Sequence, residues 1–458
     1  MSKFPILEND YSLKGCKSSP VLAHFPSGSR FDLEEGQFEF LSMCDGRHIS
    51  EEILNQYDDE SCSVAREFLD NLTRRNIIRL MDEPSWRKLP TELPPDIGLQ
   101  AVHLEARSGC NLRCAHCYQG KIYPESENLT FIEIERIAKE MQELLVQGVS
   151  VSGGEPFLQK DMYPMMKLFE DREIRIISIF TNGILLDEEK VENILRLRSR
   201  PTVFVSLDSI TSEGMQFRGL TKAVTAEKTL ARILRNIQML ATKGVQVVVN
   251  TVMHRLNIGD LFRMYEILRN LGVRSWRIGY PKETGFFKDG TEKFGLSWDV
   301  MANASFSLLR HHFAQGRPFH LQMEYLYREE LFKNFNSLTD NDFVCDYENK
   351  RESCCIKPNG DVVSCAYCTD FPVGNIRKDA LSAIWYSSNM QEIKEVRIGD
   401  VAECKECELR AYCASGCRIN AYFLRGDFRN SRDDYACQAV KFFVEKVKLF
   451  LQEQSVLP

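Results

Sequence analysis

Nowhere in the chain do about 18 apolar residues run consecutively, so no membrane-spanning helix is expected. Basic residues are scarce for a nucleic-acid binder: 58 Lys and Arg stand against 65 Asp and Glu, a net charge of −7. The apolar core of an export signal is missing too. MSKFPILENDYSLKG carries charge and a proline where that core belongs, and a cytoplasmic chain is expected. What is abundant is cysteine, with 16 residues in 458. Disulfide scaffolds are short and secreted, so thiolates clustered on metal are the better reading. At 43% hydrophobic and 27% charged residues, the chain has the balance of a globular protein with room for about three domains.

The cysteines form three groups. Cys16, Cys44 and Cys62 are scattered and read as small buried hydrophobes. Cys110, Cys114 and Cys117 stand in GCNLRCAHCYQG, a C-x3-C-x2-C spacing. Three thiolates on one short loop can hold three irons of a four-iron cluster and leave the fourth bare, as catalytic zinc keeps an open position. Structural zinc is the alternative, with His116 or His103 as the nearby candidates for its fourth ligand. The remaining ten cysteines crowd the last quarter of the chain.

Around the trio the pattern alternates. AVHLEA (101–106) reads as a buried strand. Thr130-Phe-Ile-Glu133 is a capping box opening a helix whose apolar residues Ile134, Ile137, Ala138, Met141, Leu144 and Leu145 keep the 3.6 period. VSVSGGEPF (149–157) is a strand ending in two glycines, which allow close backbone approach. Strands follow at 174–183, 202–209, 245–252 and 273–279, with helices near 187–198, 225–243 and 260–271. Six such units between residues 100 and about 280 imply a parallel sheet. Ser152, Glu155, Thr181, Asn182, Ser206, Asp208 and Asn250 would line the rim where α/β barrels bind ligands.

With its trio followed by Tyr118 and SGGEP ending the second strand, this region resembles the radical SAM superfamily over about 180 residues. The resemblance implies a partial (β/α)6 barrel in which Cys110, Cys114 and Cys117 bind a 4Fe-4S cluster that chelates S-adenosyl-L-methionine. It places Gly153, Gly154 and Glu155 at the methionine amino group, Ser206 and Asp208 at the ribose, and Tyr118 beside the adenine. Arg218, in a Phe-Arg-Gly segment, would pair with the methionine carboxylate, a bidentate contact natural to arginine; otherwise it is an ordinary surface cation. The chemistry implied is reductive cleavage to a 5′-deoxyadenosyl radical, with electrons from an external donor such as flavodoxin or ferredoxin.

Near the C-terminus, Cys345 is followed after fourteen residues by Gly360 and after four more by Cys365. Cys404, Cys407, Cys413 and Cys417 are spaced x2, x5 and x3, and Cys437 comes last. CIKPNGDVVSC reads as a hairpin turning at Asn359-Gly360. The arrangement resembles the seven-cysteine SPASM extension, and a zinc ribbon would leave several of these cysteines idle. It implies two auxiliary iron–sulfur clusters, three in the chain altogether. Cys404, Cys407, Cys413 and Cys437 would hold one; Cys345, Cys365 and Cys417 would hold the other, with Cys354, Cys355, Cys368 or an open position as its fourth ligand.

Residues 1–82 outline a winged-helix-like unit: strands at VLAHF and SRFDL, helices at GQFEFLSMC, ISEEILNQY and SVAREFLDNLTRRN, and a strand at IIRLM, with Ser50 a cap for the second helix. With 16 acidic and 11 basic residues in 1–90, DNA is not the expected partner. FDLEEGQFEFLSMCDGRHISEEI resembles the PqqD-like recognition element of peptide maturases, which binds a precursor's leader by strand addition. Residues 83–99, with four prolines, read as a linker. The expected organisation is then 1–82 leader recognition, 100–320 barrel, 321–344 bridge, 345–440 SPASM and 441–458 a C-terminal helix.

The expected function is a radical SAM maturase that cross-links a ribosomally made precursor peptide through a thioether, C–C or C–O bond. A sulfatase-maturase-like oxidation of Cys or Ser in a protein is the alternative. Trp276, Tyr280, Glu283, Tyr325 and His320 are candidate cavity residues.

Overall fold

The computed structural model describes residues 3–95, 97–120, 127–324, 326–327, 338–345 and 351–457. The N-terminal unit runs β1 (Phe4–Leu7), β2 (Tyr11–Cys16), β3 (Ser19–His24), β4 (Arg30–Asp32), α1 (Glu35–Met43), α2 (Ser50–Leu54), α3 (Asp59–Arg74) and β5 (Ile78–Met81). β2, β3 and β4 form one antiparallel sheet, while β1 pairs with β5. Leu7, Leu13, Leu22, Phe38, Phe40, Leu41, Leu69 and Ile78 close a core of their own. The three helices stand as expected; β1 and β2 are additions. Ser50 does not cap α2 but is its first residue, its hydroxyl donating to the Lys3 carbonyl at 3.1 Å.

The second unit alternates β6 (Ala101–Glu105), α4 (Phe131–Glu143), β7 (Gly148–Ser152), α5 (Met162–Glu170), β8 (Arg175–Thr181), α6 (Glu188–Leu195), β9 (Thr202–Ser206), α7 (Ala223–Thr242), β10 (Val247–Val252), α8 (Leu261–Asn270) and β11 (Ser275–Gly279). After α9 (Phe287–Phe294) and α10 (Trp298–Ala314) comes β12 (His320–Met323), a seventh parallel strand beyond the six expected. The buried β-branched residues of the strands lie in register on one face, packed under the helices: Val102, Val149, Val151, Ile176, Ile179, Val203, Val205, Val247 and Val249. Thr130 and Glu133 cap α4 reciprocally.

The sheet does not end at β6. β13 (Ser353–Ile356) pairs with it in parallel, and β14 (Asp361–Val363) and β15 (Gly374–Asn375) extend the sheet antiparallel to ten strands. The β13–β14 hairpin turns at Asn359-Gly360 with Gly360 at φ +85°, the left-handed conformation glycine adopts freely. The last helical run is continuous from Asp434 through a π-helical turn at Phe443–Val447 to Glu453, so a boundary at 440 falls inside it.

The N-terminal unit docks beneath the barrel, at the N-terminal ends of its strands. Arg87 donates to the carbonyls of Leu7, Glu8 and Tyr11 at 2.6–2.8 Å and pairs with Glu173 at 2.6 Å. Arg175, first residue of β8, donates to the Phe25 carbonyl at 2.6 Å. Arg198, just before β9, reaches the Asn9 carbonyl at 2.7 Å. Residues 83–95 are therefore a laced strap rather than a loose tether: Leu89 is buried, and the Ser85 and Arg87 amides bond to Gly46 and Asp45.

Candidate metal and cofactor site

The C-terminal ends of β6 to β12 define the rim. The trio's loop leaves β6 and is clasped from β7: the Gly154 and Glu155 amides donate to the Arg107 and Gly109 carbonyls at 2.8 and 3.0 Å. Gly153 adopts φ +136°, and a Cβ there would meet the Arg107 oxygen at 2.5 Å; one on Gly154 would meet the Gly109 oxygen at 2.2 Å. The paired glycines thus seat the cysteine loop itself. Asn182 adds a bond to Asn111 at 2.7 Å and approaches the Cys110 sulfur at 3.9 Å. On the far side, Ala115 N–H donates to the Phe217 carbonyl at 2.8 Å, and the Phe286 amide bonds to Cys117 at 3.1 Å.

The three thiols interact electrostatically with one another, and burial raises each; Cys114 is pushed up to about 12. Metal loading must therefore displace protons there. Arg218 lowers all three and is buried, with a raised pKa because Cys114 and Asp208 outweigh its desolvation. It is not a surface cation. Its guanidinium lies 2.6 Å from Asp208, whose other oxygen accepts the Val252 amide at 2.8 Å. Despite burial, His116 and Arg218 hold the Asp208 carboxyl low. Asp208 and Arg218, expected at opposite ends of a ligand, are thus partners of each other.

Glu155 is wholly buried and accepts from Thr181 Oγ1 at 2.7 Å, the Asn182 amide at 2.8 Å and the Phe157 amide at 3.2 Å. Its carboxylate ties β7 to β8; desolvation raises its pKa in spite of those bonds. Ser206 is the last residue of β9, half-buried and paired in register with Asn250 of β10. Tyr118 points away from the trio toward the C-terminal domain, its hydroxyl donating to Glu105 at 2.7 Å and its ring 5.0 Å from that of Tyr367.

His116, considered from sequence only as a zinc ligand, carries more. Its ring stacks on Phe217 at 4.4 Å, Phe217 stacks in turn on His254 at 4.0 Å, and burial pushes His116 down to about 4 against the pull of Asp208. The sequence signal was its place between the second and third cysteines. His116 Nδ1, Arg218 Nε, Arg107 Nε and Asn250 Oδ1 are buried polar atoms on rim segments without a hydrogen-bond partner among the described residues. Buried polar atoms are almost always bonded. Three thiols on a clasped loop beside such atoms fit a cluster and a polar nucleoside ligand.

The C-terminal cysteines separate into two groups. Burial raises Cys404, pushes Cys413 to about 12 and Cys437 to about 11, and neighbouring thiols add to each: Cys407 acts on Cys404, Cys437, Cys404 and Cys407 act on Cys413, and Cys404 acts on Cys437. Cys355, Cys365, Cys368 and Cys417 share a packed cluster with Val363 and Ile419, and the Cys365 charge bears on the other three. Cys354 faces the other way, into the barrel core. Cys345 follows Val344, which packs with Val396, Ile398 and Cys404.

Of the cavity candidates, Trp276 is core, its indole N–H bonded to Thr251 at 2.8 Å. His320 opens β12 at the end opposite the rim. Tyr280 and Glu283 do lie at the rim, where the Tyr435 hydroxyl donates to Glu283 at 2.9 Å. Tyr325 lies outside the described residues. Among those residues, no helix is long and apolar enough to cross a membrane.

Residues 105–268 match the Radical SAM superfamily, and residues 345–408 match the SPASM iron-sulfur cluster-binding domain. The chain thus carries a radical SAM domain joined to a SPASM domain, which implies S-adenosylmethionine and iron–sulfur clusters. Relatives include the antilisterial bacteriocin subtilosin biosynthesis protein AlbA of Bacillus subtilis, 25% identical over 85% of this chain and 84% of that protein. An AdoMet-dependent heme synthase of Methanosarcina barkeri is 26% identical over 71% and 92%. Among solved structures, Streptococcus suis SuiB bound to its precursor peptide SuiA superposes with a TM-score of 0.67 at 16% identity, covering 94% of this chain and 99% of that one.

Proposed function

We propose that the protein is a radical SAM maturase that cross-links a ribosomally made precursor peptide. The observation that carries the reading is the union of three parts in one chain: a rim loop of three thiols, a second field of grouped thiols, and a separate N-terminal unit whose exposed β4 leaves one sheet edge open. A bacteriocin-biosynthesis relative aligned over most of this chain and a fold shared with a precursor-bound enzyme support it.

Cys110, Cys114 and Cys117 would hold the cluster that binds S-adenosylmethionine. Bound there, the pair supplies a 5′-deoxyadenosyl radical that takes a hydrogen atom from the peptide. His116 and Asn250 would meet the nucleoside with their open Nδ1 and Oδ1 atoms, beside Gly153, Gly154, Glu155 and Ser206. Asp208 would hold Arg218 in place toward the methionine carboxylate. Two further clusters would sit on Cys404, Cys407, Cys413 and Cys437, and on Cys365 and Cys417 with Cys345 and either Cys355 or Cys368. Cys354 is set aside by its orientation. One of these clusters would take the electron released as the new bond closes, and a flavodoxin or ferredoxin would supply the reducing electron. Residues 1–82 would act as the PqqD-like leader reader, the precursor adding a strand beside β4 next to the exposed Phe31.

The test is anaerobic reconstitution with the precursor encoded beside the gene. The expected product is lighter by about two hydrogens, with deoxyadenosine formed alongside. Cys114→Ala should abolish both. An unchanged peptide with no deoxyadenosine overturns the reading, whereas oxidation of a Cys or Ser without a cross-link would favour the sulfatase-maturase type.

A further inference from the structure

Between the two cysteine fields lies a charge pair that neither thiol group requires. Glu105 ends β6 and Lys357 follows β13; both side chains are wholly buried, with 2.8 Å between Nζ and Oε1. Glu105 also accepts the Tyr118 hydroxyl and the Gln119 amide, both at 2.7 Å, and so holds the two residues that follow Cys117. Lys357 donates to the Ala366 carbonyl at 2.7 Å, one residue after Cys365, and lies 5.1 Å over the Tyr118 ring. The Cys355 thiol points at Glu105, 3.7 Å away. Each cysteine loop is thus fastened, through its next residue, to a different member of one ion pair, Tyr118 to Glu105 and Ala366 to Lys357.

Stability does not explain the pair. Desolvation consumes most of the attraction between buried ions, and apolar residues of the same size often do as well. Nor does it make a cation site: His103, Glu105 and Cys355 bring ligand atoms within 4.8 Å of one another, but the Lys357 ammonium already bonds to Glu105 there. What the pair does supply is a fixed field in a low-dielectric seam. Its negative end bears on Cys117, and its positive end bears on Cys355 and on the Cys365 loop.

We infer that Glu105 and Lys357 are positioning residues that set the reduction poise of the iron–sulfur sites on either side. The Glu105 charge makes the trio's site harder to reduce, and the Lys357 charge makes the Cys365–Cys417 site easier to reduce. An electron leaving the peptide is thereby drawn to the C-terminal site. The inference rests on the proposed reading that both thiol groups hold clusters.

The test is a potentiometric EPR titration of the full-length, anaerobically reconstituted chain. Glu105→Gln should raise the potential of the trio's site, and Lys357→Met should lower that of the C-terminal site. The double variant should return both toward the starting values. Each single variant shifts the site beside the removed charge more than the far one, and a variant that moves neither potential, or the far one more, overturns the inference. If the single variants do not fold, Tyr118→Phe keeps both charges and removes only the hydroxyl dipole on Glu105. It should lower the trio's potential, and an unmoved value overturns the inference. Iron content separates the two levels: no iron on either thiol group sinks the reading beneath it, whereas iron with unmoved potentials sinks only the role of the pair.

Discussion

Arg218 and Asp208 meet at 2.6 Å with only 3% and 2% of their side chains exposed, which makes each the other's counter-ion at the barrel rim. Removing one leaves the other charged and buried, a loss of about 3–5 kcal/mol. Asp208→Ala should therefore lower the thermal midpoint markedly. Arg218→Lys keeps the charge but not the fork, and should weaken S-adenosylmethionine binding about tenfold, near 1.4 kcal/mol, in equilibrium dialysis. Unchanged affinity would detach Arg218 from the ligand.

The glycine clasp makes a separate prediction. A methyl group on Gly154 collides with backbone, which has no flexible end to move aside. Gly154→Ala should strip iron from the trio's site while the C-terminal iron remains, as measured by iron analysis beside Cys413→Ala, which should lose iron only from the Cys404, Cys407, Cys413 and Cys437 group. Full iron in Gly154→Ala would show that the loop has another seat.

Cysteine orientation can be tested the same way. Cys354→Ala should leave iron content unchanged and cost about 1 kcal/mol of packing, because its side chain belongs to the barrel core. One of Cys355→Ala and Cys368→Ala should lose iron. If Cys354→Ala alone does, the grouping is wrong.

Lys14, buried in β2, carries a pH signature. Burial pushes its amine from 10.5 down to about 8. Between those values the unfolded chain holds a proton that the native one lacks, so native stability rises with pH across that window. Below pH 8 the charged native lysine costs about 3 kcal/mol. Lys14→Met should therefore be more stable than the parent at pH 7, with the gap closing toward pH 10.5 in paired thermal melts. A pH-independent gap would contradict this.

On the proposed reading of the N-terminal unit as leader reader, its docking beneath the barrel sets leader and chemistry at opposite ends. A strand such as β8, seven residues long, spans about 20 Å at roughly 3.3 Å per residue. A precursor must cross that depth with at least about seven extended residues between leader and target. Shortening this spacer should abolish cross-linking without weakening leader binding, read by mass spectrometry and fluorescence anisotropy. Equal modification of a short-spacer precursor would refute the arrangement.

Much of this was legible locally. The six barrel strands announce themselves as runs such as IIRLM's longer counterparts VQVVVNTV and IRIISIFTNG, and thiol spacing marks the cysteine loops. What was not legible is weakly patterned or distant. β2 contains lysine and glycine, and β12 has only four residues. α5 opens without a side-chain cap bond. No local rule says that β13 will pair with β6 some 250 positions earlier, and that pairing brings Cys355 beside the Glu105 carboxylate that accepts the Tyr118 hydroxyl. A lysine following the buried run Cys354-Cys355-Ile356 was the one hint of the charge across the seam.

The β6–β13 ladder also governs the order of assembly on the ribosome. The strand that launches the trio's loop has one flank bare until residues 353–356 emerge, more than half the chain later. An open strand edge invites pairing with other chains, and contacts so far apart in sequence form slowly. Growth conditions that slow translation or withhold chaperones should therefore reduce the yield of intact enzyme, and a chain truncated before 353 should accumulate in inclusion bodies.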